Sequence, residues 1–159
     1  MDNFDARFKR AFGLIAFTAN RHMVDHMRRL SIAFGGDSGL DLDTTMIWGL
    51  VAHMNVARLL HPGAHPAEVM SASGTLQGEL NSVRLSDVAL VSGLPRETVR
   101  RKLETLRKAG RLAKTEDGGW IVQRSGIDEA TYQFTLDTVK RLLTTAKQIE
   151  TILAQCEVD

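Results

Sequence analysis

Apolar residues recur every three or four positions from Phe4 through Phe8, Phe12, Ile15, Ala19, Met23 and Met27 to Leu30. That period belongs to an amphipathic helix and predicts one long helix over about residues 2–34. Gly13 weakens this helix locally without ending it. The glycines of Gly35-Gly36-Asp37-Ser38-Gly39 do end it, because three glycines in five residues lose too much backbone entropy in a helix. Asp41 or Asp43 then offers an N-cap for a second helix over about residues 44–60. Met46, Ile47, Trp48, Leu50, Val51, Met54, Val56, Leu59 and Leu60 make this helix apolar on most sides, which predicts a central place in the fold. His61-Pro62-Gly63 stops it.

Residues 64–81 carry a weaker pattern, interrupted by Pro66, Gly74 and Gly78, and predict a short helix over 66–72 followed by a loop. From Leu85 the order changes to a short helix capped by Ser86, a tight turn, a basic helix from residue 95 to about 109, and a hairpin. Ala89 precedes Gly93 by four residues and Val99 follows it by six. Two helices joined by a tight turn need those three things: a small residue where they meet, a glycine where there is little room for a Cβ, and an apolar residue on the inner face of the second helix. Leu103 and Leu106 continue the buried stripe. Pro95 suits the first helical turn and Gly110 the position after the last. Residues 111–114 and 120–123 form two short strands around Glu116-Asp117-Gly118-Gly119, with Trp120 packing the hairpin onto the domain. A last helix is expected from near residue 127 to about 155, with Ser125 and Asp128 as a capping-box variant. Tyr132, Leu136, Val139, Leu143 and Ala146 give it a coiled-coil-like stripe.

The fold class expected is therefore mainly α with a small β-hairpin wing: a winged helix-turn-helix flanked by long N- and C-terminal helices. Residues 1–40 form an N-terminal dimerisation or packing segment, 41–124 the DNA-binding region with its motif at 85–122, and 125–159 a C-terminal dimerisation helix.

Charge sharpens this picture through its distribution. The whole chain carries +1 at neutral pH, yet residues 95–114 hold eight basic residues against Glu97 and Glu104, a local excess of +6 on a remainder of −5. A basic segment on an otherwise acidic protein is an electrostatic footprint for phosphate. In a helix-turn-helix the start of the second helix enters the major groove. With Val99, Leu103 and Leu106 inward, the outward positions are Arg96, Glu97, Arg100 and Arg101, with Glu104 further along. Arginine can pair with two acceptors of guanine, and glutamate can accept from the amino group of cytosine. Glu97 is equally explained as a helix N-terminal acid favoured by the dipole. Thr98 is a candidate phosphate donor; Lys102, Arg107 and Lys108 are backbone contacts or solvated. Arg111 and Lys114 lie on the wing, at phosphate or minor-groove distance.

The segment Arg96-Glu97-Thr98-Val99-Arg100-Arg101 resembles the recognition helix of the cyclic-AMP receptor family and of the GntR family of bacterial regulators. In the former, the resemblance implies base reading by Arg96, Glu97 and Arg101. The overall plan, a long helix on either side of a central winged helix, is more similar to MarR-type regulators, with a shorter wing and a longer loop before the motif. That resemblance implies a dimer formed by the terminal helices.

The expected function is a homodimeric, sequence-specific transcription regulator whose partners are double-stranded DNA and a second copy of itself, with a small-molecule effector left open. The alternative is a winged-helix protein-interaction module that does not read DNA. No enzyme is expected, since no nucleophile–base pair, phosphate loop or spaced carboxylate pair occurs. No cofactor is expected. His22 and His26 have metal-ligand spacing with Asp25 between them, but no third ligand follows at motif spacing, so no metal is assigned. The methionines and aromatics of the first two helices read as core rather than as an effector pocket. Cys156 is the single cysteine, which excludes an internal disulfide framework. Asp2, Asp5, Arg7, Lys9 and Arg10 do not suit a secretory signal, and the apolar runs at 11–19 and 46–52 are too short to span a bilayer, so a cytoplasmic protein is expected.

Overall fold

The computed structural model describes residues 3–36, 39–60, 63, 65–72, 76–124 and 128–156. In chain order the elements are α1 (Asn3–Gly35), α2 (Leu42–Val56), α3 (Pro66–Val69), α4 (Leu85–Ser92), α5 (Arg96–Lys108), β1 (Leu112–Lys114), β2 (Trp120–Val122) and α6 (Glu129–Gln155). The protein is mainly helical with one small antiparallel hairpin. It divides into two compact units, Met1–Asp37 with Glu129–Asp159, and Ser38–Asp128. The two terminal segments expected as separate pieces thus share one unit.

In that unit α1 runs unbroken through Gly13. It packs antiparallel to α6, because contacts that climb along α1 descend along α6. Arg21 Nη2 donates to Gln148 Oε1 at 3.1 Å, His22 Nδ1 lies 3.0 Å from Thr145 Oγ1, and the rings of Phe34 and Phe134 meet edge-on at 5.2 Å. Ile15 is buried as its period predicts, and so is Ala11, outside that pattern, whereas Phe4, Phe12, Met23 and Met27 of the pattern stay exposed. The helix is apolar over a wider arc than one partner helix can cover. α6 meets α1 through Phe134 and through the polar Arg141, Thr145 and Gln148. No residue of α6 is buried, and Tyr132, Val139 and Leu143 of its predicted stripe are about half exposed or more, on the side away from α1. The expected cap at Ser125 and helix start at residue 127 lie outside the described residues.

In the second unit α2 is central, touching α4, α5 and β2. Asp41 is its N-cap and accepts from Thr44 N at 2.8 Å. The helix ends at Val56, earlier than expected, and Leu59 and Leu60 lie in a turn that donates back to Val56 O; the expected stop at His61-Pro62 lies outside the described residues. Ile47 and Val51 of α2, Val88 of α4, Val99, Leu103 and Leu106 of α5 and Leu112 of β1 form a core closed to solvent. Burying each such side chain contributes ~1.5–3 kcal/mol. α3 is shorter than the 66–72 span expected, because the chain is drawn into a bridge between Met70 and Leu76.

β1 and β2 pair with Ala113 opposite Ile121. Val83 adds a third edge: its N–H donates to Trp120 O at 3.0 Å and its carbonyl accepts from Trp120 N at 2.9 Å. That pairing keeps the chain extended to Arg84, so α4 begins at Leu85 with Arg84 as N-cap. Ser86, expected as the cap, is instead inside the helix, and its hydroxyl donates to Asp87. The most buried polar group ties the unit together. Asn55 is fully buried on α2; its Nδ2 donates to Asn81 O at 2.6 Å and Trp120 O at 3.0 Å, and its Oδ1 accepts from Val122 N at 2.8 Å. Every hydrogen of that amide finds an acceptor, which is the condition for burying it.

Candidate nucleic-acid interface

The turn from α4 to α5 sets the exposed face of α5. Gly93 caps α4 at φ +68°, its N–H donating to Ala89 O at 3.1 Å. A Cβ built on Gly93 meets nothing within 4 Å, so glycine is needed for the left-handed backbone and not, as its spacing suggested, for lack of room. Pro95 is the N-cap of α5, and no side chain caps the helix. The first N–H groups of α5 therefore have no side-chain acceptor, and an uncapped helix start is a ready anion site.

Val99, Leu103 and Leu106 face the core, as their spacing predicts. Arg96, Glu97, Arg100 and Arg101 are all exposed on the outer face, and Thr98 and Glu104 are half-buried. Arginines in the first two turns stand against the helix dipole, whereas Arg107 and Lys108 at the last turn suit it.

The charges on this face are not equivalent. Arg100 grips Glu97 with two bonds, Nε to Oε2 at 2.8 Å and Nη2 to Oε1 at 2.7 Å. The Arg100 hydrogen bond holds the Glu97 carboxyl below its ordinary range, and Glu97 in turn raises the Arg100 guanidinium. Arg107 does the same to Glu104, at 2.7 Å. Arg96 and Arg101 make no ion pair within the described residues, so they are the cations the first turns of α5 offer outward; Lys108 is likewise exposed and unpaired in its last turn.

Chain comparison is silent. The chain matches no known protein family, no curated protein and no solved structure.

The remaining basic residues are deployed differently. Lys102, on the same helix, is turned inward with its side chain only 13 % exposed, and its Nζ lies 2.8 Å from both oxygens of Asp41. Arg111 was expected to reach DNA from the wing. Its side chain is 14 % exposed, ion-paired to Asp128 at 2.8 Å and stacked 4.8 Å above the Trp48 ring. A guanidinium held on two sides inside the unit packs the base of the hairpin and is turned inward, unlike Arg96 and Arg101. Lys114 is exposed but folds back over Trp120, 5.5 Å from its ring centre. The hairpin tip carries Glu116 and Asp117, and Asp117 accepts from Thr115, Ser82 and Gly119 N. An acidic, internally bonded tip is poorly suited to phosphate. The candidate surface therefore contracts to the start of α5.

Among the described residues no three His, Cys, Asp or Glu side chains gather as a metal cluster. His22 is bonded to Thr145, and His26 packs on Phe134 at 5.7 Å. Among the described residues no helix is long and apolar enough to cross a membrane.

Proposed function

We propose that this protein is a sequence-specific, double-stranded-DNA-binding regulator of the winged helix-turn-helix type, with α5 as the helix that enters the major groove. The observation that carries the reading is the uncapped start of α5, where Arg96, Arg101 and the Glu97–Arg100 pair are exposed while Val99, Leu103 and Leu106 are buried in the core. A core-facing stripe that rigid fixes which side chains can reach base edges. Arg96 and Arg101 suit guanine acceptors, and Glu97, aimed by Arg100, suits a cytosine amino group. Thr98 and the free N–H groups of the first turn suit a phosphate.

The protein acts as a homodimer in this reading. The support is α6, whose apolar stripe lies on the face that α1 leaves uncovered. Such a stripe on two copies would set two reading helices on a near-palindromic site, with half-sites about 34 Å apart. One feature favours the alternative, a protein-interaction module: Leu90 and Val91 on α4 are exposed, at 82 % and 59 %.

Selection of bound duplexes from random DNA, followed by salt titration, tests the reading. A two-fold motif with binding that weakens steeply as salt rises is expected. Recovery of no motif, with retention independent of salt, would reject it in favour of the protein module.

A further inference from the structure

Around Asp25 the seam between α1 and α6 is polar and charged, and its charges do not balance. Asp25 accepts from three guanidinium groups: Arg28 Nη2 at 3.2 Å, Arg29 Nε at 3.1 Å and Arg141 Nη1 at 3.4 Å. Arg21 and Lys140 line the groove beside it, and Asp137 is the second carboxylate there. Three cations and two acids line the groove itself, and Arg28 and Arg29 add two more positive charges to Asp25 from outside its lining. The hydroxyls of Thr144 and Thr145 complete a groove of about 610 Å³, within the range of small-molecule clefts.

Two observations beside the groove agree with an unsatisfied positive seam. Arg29 Nη2 and His26 Nδ1 are buried without a hydrogen-bond partner against Phe134. Burial, and then the charges of Arg29 and His22, hold His26 below the ordinary imidazole range. Like charges collected on a single carboxylate repel one another, and a seam built only for packing gains nothing from them. A multivalent anion would relieve that repulsion, and guanidinium forks match carboxylate and phosphate oxygens alike.

We propose that the groove between α1 and α6 binds a small multivalent anion, a polycarboxylate or a phosphate, held by Arg21, Lys140 and Arg141. The site is independent of the DNA reading, being built wholly from the other unit. Lys140 is exposed and makes no ion pair among the described residues, so Lys140→Gln removes a ligand without removing a fold contact. Arg141→Gln removes the closer cation.

The test is calorimetric titration of the full chain with citrate and, separately, with inorganic phosphate, each against sodium chloride of matched ionic strength. The two arms tell carboxylate from phosphate recognition. Saturable heat is expected for at least one anion, weakened at least tenfold in Lys140→Gln and Arg141→Gln and unchanged in Arg101→Ala, which keeps the groove intact. Three results overturn the proposal: heats no larger than chloride gives, equal affinity in wild type and both groove variants, or loss of the signal in Arg101→Ala alone, which would put the anion on α5. Lys140→Gln leaving both titrations unchanged while weakening duplex DNA retention would make the seam a nucleic-acid contact and overturn it as well.

Discussion

Lys102 Nζ lies 2.8 Å from each carboxylate oxygen of Asp41, so the residue that caps α2 also anchors the middle of α5. Thr44 adds its hydroxyl to the same carboxylate at 2.6 Å. The lysine hydrogen bond and then those from Thr44 lower the Asp41 carboxyl from 3.8 to about 2. A carboxylate whose folded value is depressed stabilises the fold fully above its unfolded value and loses that contribution as pH falls through the folded one. The window here is pH 3.8 down to about 2. Asp41 is 66 % exposed, so solvent screening holds the contribution to ~1 kcal/mol or less. Asn caps helices as well as Asp, so Asp41→Asn isolates the ion pair. Urea denaturation of Asp41→Asn should show that loss at pH 7 and converge with wild type near pH 2. A difference independent of pH would show that Lys102 contributes no charge pairing.

Asn55→Leu should be among the most damaging substitutions. It keeps the branched shape of the buried side chain, at a larger volume, but strands Val122 N–H and removes a donor from Asn81 O and Trp120 O. Buried groups left without partners cost ~1–3 kcal/mol each, so a total of about 3 kcal/mol is expected. Chemical denaturation measures it. Hydrogen exchange should localise it, with Val122 N–H losing protection before the amides of α5.

Much of the second unit was legible in the chain, because side-chain period reports burial directly. Val99, Leu103 and Leu106 face the core at the spacing that predicted them, and Gly93 sits at the turn. What stayed hidden depends on contacts between residues far apart in sequence. Lys102 reads as one more solvated cation until Asp41, 61 residues away, is folded against it. Arg111 reads as a wing cation until Trp48 and Asp128 close on it. Asn55 did leave a signal: an amide inside a helix apolar on most sides needs buried partners. The polar seam of α1 with α6 was invisible for a different reason, since the apolar stripe of α6 pointed to a partner that is not α1.

Gly93→Ala should cost about 1 kcal/mol through backbone strain alone, because φ is +68° and no atom obstructs the new Cβ. Gly93→Asn should cost less, since asparagine visits the left-handed region more readily. Thermal unfolding of both variants checks the order. Equal losses would mean that the turn tolerates a shift of α5, and selected DNA sites should then change for both variants.

Arg101→Ala and Arg111→Met separate reading from packing. Arg101 is exposed and free of ion pairs among the described residues, so its loss should leave unfolding unchanged, cost ~1–3 kcal/mol of specific DNA binding and relax one base position. Arg111 is the reverse case: its loss should lower stability by about 1 kcal/mol, through Trp48 and Asp128, and leave the selected motif unaltered. The same selected motif for wild type and Arg101→Ala would remove Arg101 from the reading face.

Leu143→Lys tests the dimer without endangering the unit that forms it. Leu143 is 57 % exposed, and α6 meets α1 through Phe134, Arg141, Thr145 and Gln148. A lysine at position 143 therefore leaves those contacts with α1 in place, while it would put two charges face to face if the stripes of two copies meet. Sedimentation at micromolar concentration should find twice the chain mass for wild type and the single-chain mass for Leu143→Lys, with equal helix content by circular dichroism. Because α6 keeps its contacts with α1, loss of association cannot be charged to unfolding. Wild type sedimenting as a single chain would leave the stripe without its second copy, and the two-fold DNA site would lose its support with it.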